Sequence, residues 1–179
     1  MIKSMGTLFV FWTGSNFQEN GESRMKIGII VFSKTNNTFS VAKRLRDALA
    51  DKGLEVEIEQ VIPEDDAPGV KPPIVFTNKP DVSPYDVVIF ASPVWAFSLA
   101  GVMAEYLEQI SSLQGKRVFS FVTKQLASKI TGGNKANRQI KSAVAVKDGT
   151  VEKSFIVSWK NKKREQEIEG LIAEILKAV

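Results

Sequence analysis

The chain has 179 residues, of which 44% are hydrophobic and 25% charged, and its formal net charge is +4. This is an ordinary globular balance at about the length of one domain. The sequence contains no cysteine and no histidine, which excludes disulfides, cysteine–histidine zinc sites, iron–sulfur clusters and any catalytic relay built on either residue.

Residues 1–24 differ in composition from the rest of the chain. They hold a short apolar cluster at 8–12 and then mostly polar residues, and this cluster is shorter than the apolar stretch of a signal peptide. Met25 leads directly into a strand-like run. We therefore expect that Met25 is the natural start, that residues 1–24 are an extension outside the domain which arose from a start assigned too early, and that the domain covers 25–179.

From Met25 onward, short β-rich apolar runs alternate with segments of helical periodicity, which is the pattern of βαβ units and a parallel sheet. The predicted strands are 26–32, 54–60, 86–91, 116–123 and 151–157. The predicted helices are 37–52, 99–110, 134–145 and 163–177. Five strands with interleaved helices predict an α/β fold with a doubly wound sheet, whose ligand crevice lies where the strand order reverses.

The connection between the second and third predicted strands has an unusual composition. Residues 63–84 hold six of the chain's seven prolines together with an acidic stretch. Proline is disfavoured both in the interior of a helix and in a central strand. We expect a long surface connection here, with at most a degenerate helix, where a second crossover helix would normally lie.

A loop rich in hydroxyl and amide side chains joins the first predicted strand to the first helix. It consists of Ser33, Lys34, Thr35, Asn36, Asn37 and Thr38. Because the amino end of a helix carries unpaired N–H groups and a partial positive charge, this loop suits a phosphate monoester. The alternative is that one of these side chains only caps the helix. We favour the phosphate, since a cap needs one such residue and the loop offers five.

Two further polar or aromatic loops follow the third and fourth predicted strands. The first holds Pro93, Val94, Trp95, Ala96 and Phe97, and the second holds Thr123, Lys124 and Gln125, followed by a turn at 131–133. An aromatic ring such as that of Trp95 gains from stacking on a flat ligand, although a core or dimer contact is its alternative. Lys124 either stabilises negative charge on a bound group or is an ordinary solvated side chain.

Together these three loops resemble those of the flavodoxin-like family. Residues 33–38 are similar to the flavodoxin phosphate loop [ST]-x-T-G-x-T, with Asn36 in place of the glycine, and asparagine tolerates a left-handed backbone. Residues 91–95 are similar to the [GS]-[ST]-P-[IV]-[YW] turn. The resemblance covers 25–179. It implies a three-layer, five-stranded parallel sheet in the order 2-1-3-4-5, and one FMN bound without a covalent link.

The resemblance also implies which residues bind FMN. The loop 33–38 would hold the phosphate, 93–96 would border the isoalloxazine ring with Phe97 adjacent, and 123–125 would complete the pocket. No metal is expected. No catalytic side chain is expected either, because the flavin itself carries out the redox chemistry.

Three functions remain open at this point. The first is an FMN-dependent oxidoreductase that passes electrons from NAD(P)H to a small acceptor such as a quinone. The second is a flavodoxin-type carrier, for which the basic charge would favour an acidic redox protein as partner. The third is a flavodoxin fold that has lost its flavin and serves as a scaffold. The resemblance also admits a homodimer in which the neighbour covers the flavin.

The positive charge by itself points to no partner. The basic residues are spread along the chain, with one denser run at 160–164 that we interpret as the solvated start of a helix. Because aromatic residues do not alternate with these charges, no nucleic-acid site is predicted. The apolar runs are far shorter than the roughly 20 residues that cross a bilayer, so no membrane segment is predicted, and the lack of cysteine fits the reducing cytoplasm.

Overall fold

A computed structural model of the chain describes residues 25–65, 67, 72–128 and 132–179. The predictions for residues 1–24 and for Thr131 lie outside these ranges. The strands are β1 (Lys26–Val31), β2 (Glu55–Gln60), β3 (Ile62–Pro63), β4 (Phe76–Asn78), β5 (Val87–Trp95), β6 (Ser98–Leu99), β7 (Arg117–Lys124) and β8 (Val151–Ser158). The helices are α1 (Asn37–Ala50), α2 (Gly101–Gln109), α3 (Gly133–Val146) and α4 (Arg164–Ala178). None of these helices is both long and apolar enough to span a membrane.

The five long strands form a parallel sheet in the order β2-β1-β5-β7-β8, with β2 and β8 at its edges. Since β5, β7 and β8 are the third, fourth and fifth long strands along the chain, this confirms the predicted order 2-1-3-4-5. In the register of the sheet, Ile29 of β1 lies between Ile58 of β2 and Ile89 of β5. The strand order reverses between β1 and β5, which is where a ligand crevice is expected.

Helices cover both faces of the sheet. Alternate residues of the central strands point to opposite faces: Ile29 and Ile89 belong to a core shared with α1 and α4, whereas Ile30 and Phe90 belong to a core shared with α2 and α3. All four side chains are fully buried. The continuous apolar runs in the sequence therefore mark strands that are buried on both sides.

The second crossover contains a short antiparallel hairpin, formed by β3 and β4, and no helix among its described residues. Aromatic side chains fill the space that a helix would occupy. The ring of Tyr85 lies over Gly28, where an added β-carbon would be 2.4 Å from the ring. Phe76 meets the ring of Tyr106 edge-on at 6.2 Å between centroids. The proline-rich connection and α2 thus cover this part of the sheet together.

The third long strand extends further than the sequence predicts. It continues through Pro93 to Trp95 and then turns back as β6, which pairs with Val94 and Trp95. The two residues of the turn, Ala96 and Phe97, both have positive φ, at 44° and 60°. Hairpin turns of this kind favour Asn-Gly, so the sequence gives no signal for this one. As a result α2 begins at Gly101 rather than at Leu99.

Candidate functional site

The loop that follows β1 and the carboxyl ends of β5 and β7 converge at one edge of the sheet, at the point where the strand order reverses. They enclose a cavity of about 130 Å³. Its lining consists of Thr35, Asn37, Pro93, Val94, Trp95, Thr123, Lys124 and Gln125. Each of these was predicted from the sequence as a site residue. Of the other predicted residues, three lie in the loop after β1, one in the first turn of α1 and two in the turn between β5 and β6; they are Ser33, Lys34 and Asn36, then Thr38, then Ala96 and Phe97.

The amino end of α1 has the features of an anion site. Asn36 immediately precedes the helix in a left-handed conformation, with φ 59°, as expected for a residue that replaces glycine. Its side chain makes no capping hydrogen bond, and the first turn contains no acidic residue. Ser33 provides part of the capping, since its Oγ accepts a hydrogen bond from the backbone N–H of Phe39 at 3.2 Å. The partial positive charge of the helix end is thus not neutralised by a carboxylate of its own first turn.

Two other helices that begin near this edge are less suited to an anion. The first turn of α4 contains Glu165 and Glu167, and Glu167 already accepts hydrogen bonds from the backbone N–H of Ser158 and from Asn161. The amino end of α3 is covered, because an added β-carbon on Gly132 would lie 2.4 Å from the backbone of Phe97. Of these three helices, α1 offers the most suitable end for a phosphate.

A buried pair of hydroxyl groups joins α1 to β7 beside the cavity. The Oγ1 atoms of Thr38 and Thr123 are 2.7 Å apart, and the two residues are 1% and 4% exposed. Since each hydroxyl satisfies the other, neither is left as an unpaired polar group in the core. The pair fixes the first turn of α1 relative to the carboxyl end of β7, which holds the two sides of the cavity together.

An apolar wall stands on the β5 side of the cavity. Pro93, Val94 and Trp95 line it, all partly buried. The ring of Trp95 packs edge-on against Phe32, with centroids 5.1 Å apart and an interplanar angle of 79°. Phe32 was not predicted as part of the site, although its apolar side chain at the end of the first predicted strand is consistent with this role. The contact fixes the orientation of the Trp95 ring.

Lys124 is a buried cation on the β7 side. It is only 8% exposed, and its Nζ donates a hydrogen bond to the backbone oxygen of Ser128 at 2.7 Å. Burial lowers the pKa of this ammonium, and the nearby carboxylate of Glu167 opposes that effect. The backbone N–H of Trp159 donates to the oxygen of Lys124 at 2.7 Å. The alternative of an ordinary solvated lysine is therefore wrong.

The cavity combines one apolar side with one polar side. The apolar side offers a surface for a flat ring, and Thr35, Asn37 and Lys124 offer hydrogen-bond donors opposite it. These groups fit a flat heterocycle joined to a phosphate. At about 130 Å³ the cavity is smaller than the ~300–1,000 Å³ of pockets that enclose a whole ligand. Part of any such cofactor would therefore face solvent.

Two larger grooves lie elsewhere, on the outer surface between α2 and α3, with volumes of about 450 and 440 Å³. Side chains from the surfaces of the two helices, such as Glu108 and Ser142, line both. None of the predicted site residues lines either groove. The smaller cavity at the strand ends has the position and the chemistry that a cofactor site needs.

Comparison with known proteins gives one family match. A sequence model of the NADPH-dependent FMN reductase family matches residues 25–162. No curated protein sequence matches the chain.

Solved structures share the fold at low sequence identity. A flavodoxin from Streptococcus pneumoniae TIGR4 is 19% identical, with a TM-score of 0.60 over 86% of this chain and 99% of the other. A Fusobacterium nucleatum flavodoxin bound to flavin mononucleotide is 17% identical, with a TM-score of 0.59 over 86% and 98%. An azoreductase from Bacillus anthracis str. Sterne is 11% identical, with a TM-score of 0.56 over 86% and 98%. These likenesses establish the flavodoxin-like fold.

Proposed function

The chain belongs to the NADPH-dependent FMN reductase family, and from this premise we propose that it oxidises NADPH and reduces a small acceptor such as a quinone. FMN is its cofactor, and the protein is a flavoprotein oxidoreductase. The overall reaction is NADPH, H⁺ and quinone giving NADP⁺ and hydroquinone, in which two electrons and two protons reach the acceptor. The convergence of the loop after β1 with the carboxyl ends of β5 and β7 on one cleft is the observation that supports this function.

Each side of the cleft has its own role in this proposal. The loop 33–38 and the amino end of α1 hold the phosphate of FMN. Trp95, fixed by Phe32, and the apolar wall beside it border the flavin ring. Bound FMN supplies the hydride and electron transfer. The protein binds the cofactor, orients it, and limits the access of water to one of its sides.

Lys124 adjusts the electrostatics of the cleft. Its ammonium lies within the protein at the carboxyl end of β7 rather than in bulk water. A positive charge in a partly desolvated site stabilises negative charge nearby more strongly than an exposed one does. We assign to Lys124 the stabilisation of the negative charge that FMN would gain on reduction.

Calorimetric titration tests the binding step. The apo protein should bind FMN saturably, and riboflavin, which lacks the phosphate, should bind at least tenfold more weakly if the helix end holds that group. Equal affinity for the two ligands would contradict the assigned phosphate site. No saturable heat with FMN would contradict the proposed function as a whole.

Anaerobic titration of the FMN-loaded protein with NADPH tests the reaction. The visible flavin absorbance should bleach at one equivalent of NADPH and return when one equivalent of a quinone is added. Steady NADPH oxidation with quinone by the protein alone supports the reductase. Failure of NADPH to reduce the bound flavin would rule the reductase out.

A flavodoxin-type electron carrier is the second candidate. Lys34, Lys160 and Lys162 are exposed in the loops at the carboxyl edge of the sheet, and positive charge around a redox site favours the approach of an acidic protein. Slow reduction by NADPH alone together with fast, salt-sensitive reduction by an acidic redox protein would support this candidate instead.

The location and the assembly are part of the same proposal. We place the protein in the cytoplasm, since a chain without cysteine needs no oxidising compartment. We also propose a homodimer in which the neighbouring copy covers the exposed side of the cleft. Cell fractionation tests the location, and light scattering of the FMN-loaded protein tests the dimer.

A further inference from the structure

In the turn after Trp95, one residue has both a backbone conformation and a side-chain exposure that are unfavourable for stability. Phe97 occupies a left-handed conformation, with φ 60°, in a turn that ordinarily takes glycine or asparagine. Its side chain is also 63% exposed. An aromatic ring in water at a strained backbone position adds nothing to folding stability. Such strain occurs mainly where function requires it.

The surrounding structure holds this turn in place. The backbone of Phe97 packs so closely on Gly132 that an added β-carbon there would lie 2.4 Å away. On the returning strand, the backbone N–H of Leu99 donates to Gln139 Oε1 at 2.9 Å. The turn is therefore fixed to the start of α3, and the Phe97 ring is presented to solvent two residues beyond Trp95, which lines the cavity.

The carboxyl edge also carries a second exposed apolar side chain. In the described part of the chain five large hydrophobic side chains are exposed. Two of them, Phe97 and Leu126, directly follow the carboxyl ends of β5 and β7, which line the cavity. Apolar side chains gathered around the mouth of a cleft favour an apolar ligand.

We propose that Phe97 stacks on the ring of a planar aromatic acceptor and gives the enzyme a preference for fused two-ring quinones over one-ring quinones. The inference rests on the proposed reductase function and adds the substrate class. Offset or edge-to-face packing of aromatic rings adds to the stabilisation from burial alone. A second fused ring reaches beyond the cleft toward Phe97, whereas a single ring offers less surface for this contact.

The experiment compares 1,4-naphthoquinone with 1,4-benzoquinone as acceptors for the FMN-loaded protein. The measured quantity is the ratio of their kcat/KM values. In Phe97→Asn the ratio should fall about 3- to 10-fold, mainly through a higher KM for the two-ring quinone. Phe97→Tyr, which keeps an aromatic ring, should retain the ratio. Val75→Asn is the matched control, because Val75 is 62% exposed and lies outside the cavity lining, and it should also retain the ratio.

The Phe97→Asn variant should fold normally, because asparagine tolerates the left-handed conformation better than phenylalanine. Its Tm should rise by about 2 °C or more. If Phe97 had a purely structural role, its replacement would not lower the selectivity ratio while raising the Tm. An unchanged selectivity ratio in Phe97→Asn would overturn the inference.

The FMN dissociation constant of each variant separates the contact with the acceptor from a contact with the cofactor. A loss of FMN affinity in Phe97→Asn as large as the loss of selectivity would show that the ring holds FMN, and would overturn the inference. The wild-type protein tests the underlying function separately. If it binds FMN and reduces quinones without preferring two rings, only the inference about Phe97 fails.

Discussion

The ring of Tyr85 occupies the space directly above the α-carbon of Gly28: a β-carbon added to Gly28 would lie 2.4 Å from Tyr85 Cδ2. The hydroxyl of the same tyrosine donates a hydrogen bond toward the carboxylates of Glu57 and Glu59 on the neighbouring strand, with the Glu57 contact at 2.7 Å. Tyr85 is thus anchored on β2 and covers β1, where the second crossover has no helix among its described residues.

Gly28→Ala should destabilise the protein by about 1–3 kcal/mol, because the new methyl group forces the Tyr85 ring out of its position. Urea unfolding measures the change. The matched control is Gly170→Ala in α4, where an added β-carbon meets nothing within 4 Å. There alanine should stabilise the exposed helix by up to about 1 kcal/mol. A Gly28→Ala protein as stable as wild type would contradict the close packing.

Glu57 should contribute to stability in a pH-dependent way. The Tyr85 hydroxyl, and after it Lys26 at 3.1 Å, lower the pKa of this carboxyl group from its ordinary value of 4.5. A lowered native pKa gives stability that is present above about pH 4.5 and is lost as the pH falls through the native pKa. The stability difference between wild type and Glu57→Gln should therefore shrink between pH 5 and pH 3.

Urea midpoints at several pH values give this difference. Because the Tyr85 hydroxyl is the main cause of the shift, Glu57→Gln should have a much weaker pH-dependent effect in a Tyr85→Phe background. A wild-type to Glu57→Gln difference that stays constant from pH 7 to pH 3 would show that the carboxyl group has an ordinary pKa.

The Thr38–Thr123 pair should behave as one unit. Thr38→Val leaves the buried Thr123 hydroxyl without its partner, which costs about 1–3 kcal/mol, and Thr123→Val has the corresponding effect on Thr38. The double variant should be less destabilised than the sum of the two single variants, since it leaves no unpaired hydroxyl. A double-mutant cycle by chemical unfolding measures the coupling. Additive effects would mean that the 2.7 Å contact contributes little.

Lys124→Met should lower the midpoint potential of the bound flavin. Removal of a buried positive charge weakens binding of the reduced cofactor more than binding of the oxidised one. If the affinity for the reduced cofactor falls tenfold more than that for the oxidised one, the midpoint potential falls by about 30 mV for a two-electron couple. Equilibrium reduction against a reference dye detects this shift. The control is the exposed Lys160→Met, which should shift the potential much less. Equal potentials in the two variants would contradict the role of Lys124.

The pH dependence of the potential gives a second check on Lys124. Burial lowers the pKa of its ammonium, so the group discharges at a lower pH than an ordinary lysine does. The potential difference between wild type and Lys124→Met should therefore decrease as the pH rises through that lowered pKa. A difference that persists up to the ordinary pKa of lysine, 10.5, would mean that the ammonium remains charged in the cleft.

The sequence predicts the main elements of this fold well because strand burial leaves a direct pattern. The runs that contain Ile29 and Ile89 are apolar on both faces, and α1 between them has a clear helical periodicity. The predicted bounds of those two strands and of α1 are within two residues at most ends. The exception is the carboxyl end of β5, where Pro93 resembles a strand breaker and Ala96-Phe97 lacks the usual turn residues.

The sequence predicts which segments of the chain form the site, but not which of their residues are in contact. That the loops meet follows from parallel strands whose carboxyl ends share one edge. The contact of Phe32 with Trp95, and that of Phe97 with Gly132, join residues distant in sequence and of unremarkable type. Lys124 is 8% exposed and its backbone oxygen accepts a hydrogen bond from Trp159, in a loop distant in sequence, which no local pattern reveals. The assignment of individual side chains to FMN stays a prediction.

The outer strand β2 has a consequence for how separate copies of the protein meet. In the described part of the chain it ends the sheet on one side, so the backbone groups on its outer side could pair with a strand from another molecule. Its sequence places Glu55, Glu57 and Glu59 at alternate positions, and the like charges of two such strands would repel each other. The protein should therefore resist ribbon-like aggregation along this side even at high concentration.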